Sequence, residues 1–269
     1  MSPIKLLKKA KTLIWILVNI HFRKKTPVII FAPGRVGSMA LYSNLMKAGL
    51  FVFKLEFTKI GSSSSAKFIK KYIFDQKKPA KIISIVRDPI DILVSYFFSK
   101  AASGHIKAAH RAWEAANIQD LQRSFVVDVL NTDRLGLHLY WYEKDFKEAT
   151  NIDIFAYPFD QNEGFSVVPH ETYPTLIFRT EMEDTNKAEI IKTFLNLSDF
   201  NLTRENTRSQ KVDAALYRLF KDSLVLPSDI LNKIYSSPYA KHFLTEKERL
   251  ASVEKYTKAR NESTVKSVV

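Results

Sequence analysis

The sequence contains no cysteine, and this absence removes two kinds of structure from consideration. A disulfide framework and a thiolate metal site both require cysteine side chains. The six histidines are scattered along the chain, and none of them shows the HExxH spacing of a zinc enzyme. We therefore expect no bound metal ion, and nothing in the composition indicates an oxidising compartment.

Acidic residues are also in short supply. The chain has 28 Asp and Glu and 41 Lys and Arg, which gives a formal net charge of +13. Such an excess suits anionic partners, namely phosphate, sulfate, polyanions or a lipid surface, although many proteins are simply basic. Hydrophobic residues make up 46% of the chain, which is ample for a buried core.

The apolar run near the N-terminus is too short to cross a bilayer. Residues 12–22 (TLIWILVNIHF) cover about half of the ~20 residues that a spanning helix needs. Residues 1–25 carry seven Lys or Arg and no acid, which predicts a basic amphipathic helix. This helix is expected to rest either on an anionic membrane or on the chain's own domain, residues 26–269. We expect a cytoplasmic location, with peripheral contact at the inner face of the membrane as an option.

Strand-like and helix-like blocks alternate from residue 27 onward. Apolar runs of the kind buried in parallel sheets occur at 27–32, 50–57, 80–86, 153–159 and 174–181. Helical patterns follow the first three runs, and residues 186–260 are mostly helical in pattern. The alternation predicts an α/β fold, with a P-loop-like parallel β-sheet flanked by helices and a helical C-terminal portion.

The first motif, residues 33–38 (PGRVGS), follows the first predicted strand and precedes a helical pattern. Unpaired N–H groups and the positive end of the helix dipole favour an anion at such a place. The segment is not GxxxxGK[ST], so the lysine and the magnesium-binding hydroxyl of a nucleotide-hydrolysing P-loop are missing. By itself the motif is consistent with a phosphate site or with a plain structural turn.

The second motif, residues 80–98 (AKIISIVRDPIDILVSYFF), places Arg87 at a strand end and Ser95 two turns into the next helix. Asp88 can cap that helix and Pro89 suits its first position. A terminal phosphate is bound well by a planar guanidinium together with a hydroxyl. The motif therefore predicts a second phosphate-binding turn.

Together the two motifs resemble the sulfotransferase family, whose members take a sulfuryl group from 3′-phosphoadenosine 5′-phosphosulfate (PAPS) and release 3′,5′-phosphoadenosine (PAP). The resemblance implies that one loop holds the 5′-phosphosulfate, through Gly34, Arg35, Val36, Gly37, Ser38 and Met39. It implies that Arg87 and Ser95 hold the 3′-phosphate. It also implies that Arg35 takes the place of the usual lysine and stabilises charge on the bridging oxygen, with no metal needed.

Later segments resemble one branch of that family, the bacterial capsular-polysaccharide sulfotransferase-like proteins of NKWYS type. The segments lie at 139–146, 153–168, 176–184 and 235–248, and the resemblance spans residues 27–250. The Asn-Lys-Trp-Tyr-Ser signature is reduced here to YWYEK, in which only Trp141 and Tyr142 are retained. The RTE block at 179–181 matches a family block that we expect to be structural.

The branch often has a His-x-His pair at the end of the second strand, where this chain has Lys54 and Glu56. Glu56 is the candidate for the base that takes the acceptor hydroxyl's proton; a solvated carboxylate paired with Lys54 is the alternative. Lys241 lies where relatives have a last donor- or acceptor-binding loop, so it is expected to contact the donor. The fallback bases are His105 and His110, for which a plain surface position is the alternative, and His242, which is also expected to face the donor beside Lys241.

We therefore expect a PAPS-dependent sulfotransferase that acts on a hydroxyl of a saccharide or other glycan acceptor, without a nucleic-acid partner. Two alternatives stay open. One is a sulfotransferase-like protein that has lost activity and serves in surface-polysaccharide assembly, which the departure at Lys54 and Glu56 allows. The other is a P-loop small-molecule kinase, which would need magnesium and an acidic metal ligand.

Overall fold

The computed structural model describes residues 26–56, 64–203 and 212–257, together with the single position Val18. The basic helix expected for residues 1–25 lies outside the described residues, apart from that position, and stays a prediction. Across the three described ranges, no helix is both long enough and apolar enough to cross a membrane.

The described strands form a five-stranded sheet with the order β2-β1-β3-β5-β4. Their bounds are β1 (Val28–Phe31), β2 (Val52–Leu55), β3 (Lys81–Val86), β4 (Phe165–Val168) and β5 (Thr175–Arg179). β1 is parallel to β2 and β3, and β3 is parallel to β5, whereas β4 is antiparallel to β5. The predicted parallel sheet is confirmed for four strands, whose carboxyl ends meet at one edge, and the antiparallel β4 departs from that prediction.

Helices surround this sheet. Up to residue 150 they are α1 (Ser38–Lys47), α2 (Ser64–Ile69), α3 (Pro89–Ala102), α4 (Lys107–Glu114), α5 (Ile118–Phe125), α6 (Asp133–Leu139) and α7 (Lys147–Thr150). Short π-helical stretches occur at Lys70–Phe74, Val126–Leu130 and Tyr142–Phe146. The predicted helical C-terminal portion is confirmed as α8 (Asp184–Leu195), α9 (Ala214–Ser223), α10 (Ser228–Tyr235), α11 (Pro238–Phe243) and α12 (Glu246–Thr257).

The start of α3 follows from its sequence. The Asp88 side chain accepts hydrogen bonds from the N–H groups of Ile90 at 2.9 Å and Asp91 at 3.2 Å. Pro89 is the first helical residue, where the missing N–H costs nothing because it would have no helical partner. The predicted cap is thereby confirmed, and it fixes where the chain turns after β3.

The core is divided by the sheet into two faces. Ile29 and Phe31 pack with Trp141 on one face. Val28 and Ile30 pack on the other face, against α1. A third cluster is built mainly from residues of α3 to α6 and α9 to α12 and of the segments that connect them. Because alternate β1 side chains are buried on both faces, the strand is apolar throughout, as its sequence pattern indicated.

The strand predicted at 153–159 is wrong. This segment contains a 3₁₀ turn, Ile154–Ala156, whose N-cap Asp153 accepts a hydrogen bond from the N–H of Phe155 at 3.1 Å. Such local capping competes with strand pairing, and Pro158 lacks an N–H for a ladder. The antiparallel strand β4 comes later in the chain. It has only one buried residue and therefore gave no continuous apolar run.

Candidate functional site

A cavity of about 840 Å³ opens at the carboxyl edge of the parallel strands. Its walls come from the loop after β1, the end of β2, the turn after β3 with α3, and the segment after β5. The predicted site residues that line it are Arg35, Val36, Gly37, Ser38, Met39, Glu56, Arg87 and Ser95. Ligands of open α/β sheets bind at this edge, so the fold brings the two polar motifs to a suitable place.

The loop between β1 and α1 has an unusual backbone. Gly37 has φ 86° and Arg35 has φ 71°, both in the left-handed region that non-glycine residues seldom adopt. Gly37 occupies the N-cap of α1 and has no side chain to cap the helix, and the first turn contains no acidic residue. The helix start thus presents its positive dipole end to the cavity, which favours an anion there.

The two motifs touch each other. The Nη1 atom of Arg87 donates to the carbonyl oxygen of Arg35 at 3.0 Å. The Nη2 atom of Arg35 donates to the hydroxyl of Ser99 on α3 at 2.8 Å. Thr180, which follows β5, donates its hydroxyl to the carbonyls of Val36 and Val86, each at 3.0 Å. The loop after β1 and the turn after β3 therefore form one connected surface.

Two carboxylates follow Arg87 closely in the sequence. The Arg87 Nη2 lies 3.5 Å from the Asp91 Oδ2, and the Lys221 Nζ lies 2.6 Å from the Asp91 Oδ1, so Asp91 is shared between two cations. Asp88 has a pKa raised to about 6 from the usual 3.8, mainly because desolvation disfavours its charged form and also because Asp91 lies nearby. A hydrogen bond from the Tyr235 hydroxyl at 3.0 Å opposes this rise in the pKa of Asp88.

Glu56 lies at the rim beside the first loop. A Cβ atom added to Gly34 would come within 3.2 Å of the Glu56 Oε2, so glycine permits this close approach. The Lys54 Nζ contacts the Glu56 Oε1 at 2.7 Å, and the glutamate side chain is 42% exposed. Both sequence interpretations of Glu56 are therefore compatible with its position: it faces the cavity, and it is paired with Lys54.

The remaining predicted residues, including Gly34, are not among those that line the cavity. Lys241 and His242 are on α11 and are not among the residues that line the cavity; the Gln161 side chain donates to both of their carbonyls. The His105 ring contacts the Ser103 hydroxyl at 2.7 Å. The His110 ring contacts the Ala101 carbonyl at 2.9 Å. None of these side chains shares the surface formed by Arg35 and Arg87.

Two residues on the wall after β5 were not predicted as site residues, although the first, Thr180, belongs to the block 179–181 that was expected to be structural. Thr180 and Lys187 line the cavity, and the Lys187 Nζ, in a residue 7% exposed, donates to Asp184 at 3.0 Å. Thr180 comes directly after a parallel strand, so the rule that ligands bind at strand ends is a signal that could have found it. Lys187 lies within a helix, where its sequence pattern looks like that of a surface residue.

His138 on α6 was also missed. It is 8% exposed, and its Nδ1 atom is buried without a hydrogen-bond partner among the described residues. Burial lowers the pKa of His138 to about 4, the Glu56 charge acts to raise it, and Arg35 and Arg134 lower it. The imidazole is therefore neutral near pH 7 and lies in the electrostatic field of the site.

Taken together, the fold and the cavity define an α/β protein whose strand ends present two arginines, a helix N-terminus and a carboxylate in one cavity. Residues 121–245 match the NKWYS family, described as "Putative capsular polysaccharide synthesis protein". This match is a similarity over a little under half of the chain, and it confirms the expected resemblance to that family for these residues. No curated protein and no solved structure matches the chain.

The matched part and the two polar motifs are different parts of the chain. Residues 121–245 include Trp141, Tyr142 and the cavity wall after β5, but neither residues 33–38 nor residues 80–98. The resemblance of the two motifs to sulfotransferases stays a prediction.

Proposed function

We propose that the protein transfers a sulfuryl group from PAPS to a hydroxyl of a saccharide or other glycan acceptor. The observation that supports the proposal is the hydrogen bond from Arg87 to the Arg35 carbonyl, because it joins, in one cavity, the two turns to which we assign anion binding. A nucleotide with anionic groups at both its 5′ and 3′ positions fits such a pair of turns better than a nucleotide with an anionic group at only one of these positions.

The residues present fit that donor. The start of α1 and the Arg35 guanidinium would hold the 5′-phosphosulfate, since both offer positive potential to the same loop. Arg87 and Ser95 would hold the 3′-phosphate through a guanidinium and a hydroxyl. The cavity volume of about 840 Å³ is within the range of small-molecule sites.

PAPS, when bound, supplies the sulfuryl group. Arg35, whose guanidinium donates to the Ser99 hydroxyl, would stabilise negative charge that grows on the oxygen between phosphate and sulfate. Glu56 would accept the proton of the acceptor hydroxyl, and the contact with the Lys54 Nζ orients its carboxylate at the rim. Both roles use preorganised groups, which is how charge stabilisation lowers a barrier without later reorganisation.

A glycan is the acceptor class that we propose, because the family matched by residues 121–245 is described by capsular polysaccharide synthesis. The net charge of +13 also suits an anionic polysaccharide or an anionic membrane surface close to it. We place the protein in the cytoplasm, with peripheral contact at the inner face of the membrane through residues 1–25. Neither nucleic acid nor a metal cofactor has a role in this proposal.

A thermal-shift experiment tests the nucleotide class. Purified protein is melted with PAP, with 5′-AMP, and with ATP plus Mg²⁺, each at the same concentration. PAP should raise the melting temperature the most, because a ligand that binds only the folded state stabilises it. A larger shift with ATP that depends on Mg²⁺ would favour a small-molecule kinase, and no shift with any nucleotide would favour a sulfotransferase-like protein without activity.

A further inference from the structure

The main chain of Arg87 is held by a residue far away in the sequence. The ladder between β3 and β5 ends at the pair Val86 and Arg179, so Arg87 lies just beyond it. The Tyr239 hydroxyl accepts a hydrogen bond from the Arg87 N–H at 3.1 Å and donates one to the Arg87 carbonyl at 3.0 Å. One hydroxyl thereby pairs both main-chain polar groups of the candidate phosphate-binding residue.

Tyr239 itself is firmly placed. It lies on α11 and is 1% exposed, with its ring stacked on Tyr142 at 6.1 Å and edge-on to Phe243 at 5.0 Å. Burial raises the pKa of Tyr239 well above its usual value, so the hydroxyl keeps the proton that it donates. The phenol ring cannot shift easily, and the two hydrogen bonds therefore fix the position of the Arg87 main chain.

A related contact is found at the other side of the cavity. The Trp141 Nε1 donates to the Glu56 carbonyl at 2.6 Å, and the Trp141 ring lies 5.0 Å from Tyr142. Trp141, Tyr142 and Tyr239 thus form one buried aromatic cluster that reaches from Glu56 to Arg87. All three belong to the part of the chain that matches the family.

We propose that Tyr239 is a positioning residue that directs the Arg87 guanidinium toward the 3′-phosphate of the nucleotide. This inference rests on the proposed function, since it assumes a 3′-phosphorylated ligand. In this inference α11 influences which nucleotide binds, although α11 does not line the cavity.

The physical reason is the requirement for hydrogen-bond partners. Without the Tyr239 hydroxyl, the Arg87 N–H and carbonyl must find other partners, because main-chain polar groups that lack water are seldom left unpaired. Rotation of the main chain at Arg87 would move the guanidinium away from the Arg35 carbonyl and Asp91. Hydrogen bonds to phosphate depend on distance and angle, so the 3′-phosphate contact should weaken.

The test compares two substitutions that each remove one buried hydroxyl. Tyr239→Phe removes the partner of Arg87. Tyr142→Phe is the matched control, because Tyr142 is also 1% exposed but its hydroxyl pairs with Ser84 inside β3 at 2.8 Å. Affinities for PAP and 5′-AMP are measured by calorimetry with the full chain, at a temperature where melting curves show each variant folded.

We expect Tyr239→Phe to lose about tenfold in PAP affinity and little in 5′-AMP affinity, as when a hydrogen bond to a charged group is weakened. Tyr142→Phe should keep the preference of the natural chain for PAP. Suppose that the natural chain prefers PAP and that Tyr239→Phe keeps the same ratio of PAP to 5′-AMP affinity as Tyr142→Phe. That result would overturn the positioning role alone and would leave the proposed function standing. A natural chain without any preference for PAP would overturn the proposed function and this inference with it.

Discussion

His138 offers a prediction that is independent of any ligand. The imidazole is buried on α6, and its pKa is about 4 in the folded chain against 6.5 as the usual value. The unfolded chain therefore binds this proton at a higher pH than the folded chain does. The contribution of the neutral His138 to the free energy of unfolding is fully present above pH 6.5 and is lost as the pH falls toward 4.

The size of the effect follows from the two pKa values of His138. A pKa difference between 6.5 and about 4 corresponds to about 3 kcal/mol of unfolding free energy, since one pH unit is worth about 1.4 kcal/mol. About 2 kcal/mol of this is lost by pH 5, where the unfolded imidazole is largely protonated and the folded one is not.

Asp88 changes the stability with pH in the opposite direction, so its effect must be separated from that of His138. Its pKa is raised to about 6 from 3.8, so the folded chain takes up this proton first and gains stability as the pH falls from about 6. The comparison is therefore between the natural chain and His138→Gln, in which Asp88 contributes equally. Urea unfolding is measured for both at pH 7.5 and pH 5.

We expect the stability advantage of the natural chain over His138→Gln to shrink by about 2 kcal/mol between these pH values. Parallel pH profiles for the natural chain and His138→Gln would refute a buried, neutral imidazole beside the site.

Three further predictions concern the site and the N-terminal segment. Arg35→Ala should lower turnover with PAPS far more than it lowers nucleotide affinity, because Arg35 acts on charge that develops in the transition state; equal losses in a turnover and binding comparison would contradict this. Glu56→Gln should lower turnover by about 10²–10⁴-fold with PAP binding intact, as measured on an identified acceptor, and near-native turnover would dismiss Glu56 as the base. The full chain should cosediment with anionic vesicles at low salt and a chain that starts at Thr26 should not; unchanged binding would exclude residues 1–25 as the anchor.

Features determined by local sequence could be predicted. The buried strand β1 follows from its continuous apolar run, and the start of α3 follows from Asp88 and Pro89. The meeting of residues 33–38 and 80–98 in one cavity follows too, because adjacent parallel strands end at the same edge. The position of a polar residue directly after a strand is set by the sheet itself.

Features determined by packing between distant segments could not be predicted. Lys241 was predicted to contact the donor, and it is not among the residues that line the cavity; on the same helix the Tyr239 hydroxyl is hydrogen-bonded to the main chain of Arg87. His138 is a single histidine in an apolar stretch, and its sequence gives no sign of the charges that surround it. The segment 153–159 is apolar like a strand, yet a hydrogen bond from the Phe155 N–H to the Asp153 side chain favours a turn.

The central claim is that Arg87 recognises a 3′-phosphate, and calorimetry with two nucleotides tests it most directly. PAP and 5′-AMP differ by that phosphate alone, and each is titrated into the natural chain, into Arg87→Ala and into Arg87→Lys. The natural chain should bind PAP more tightly than 5′-AMP. Arg87→Ala should lose about 1.5–3 kcal/mol with PAP, the worth of a charged hydrogen bond, and little with 5′-AMP, while Arg87→Lys should fall between them. Equal losses for both nucleotides, or no preference for PAP in the natural chain, would contradict the account.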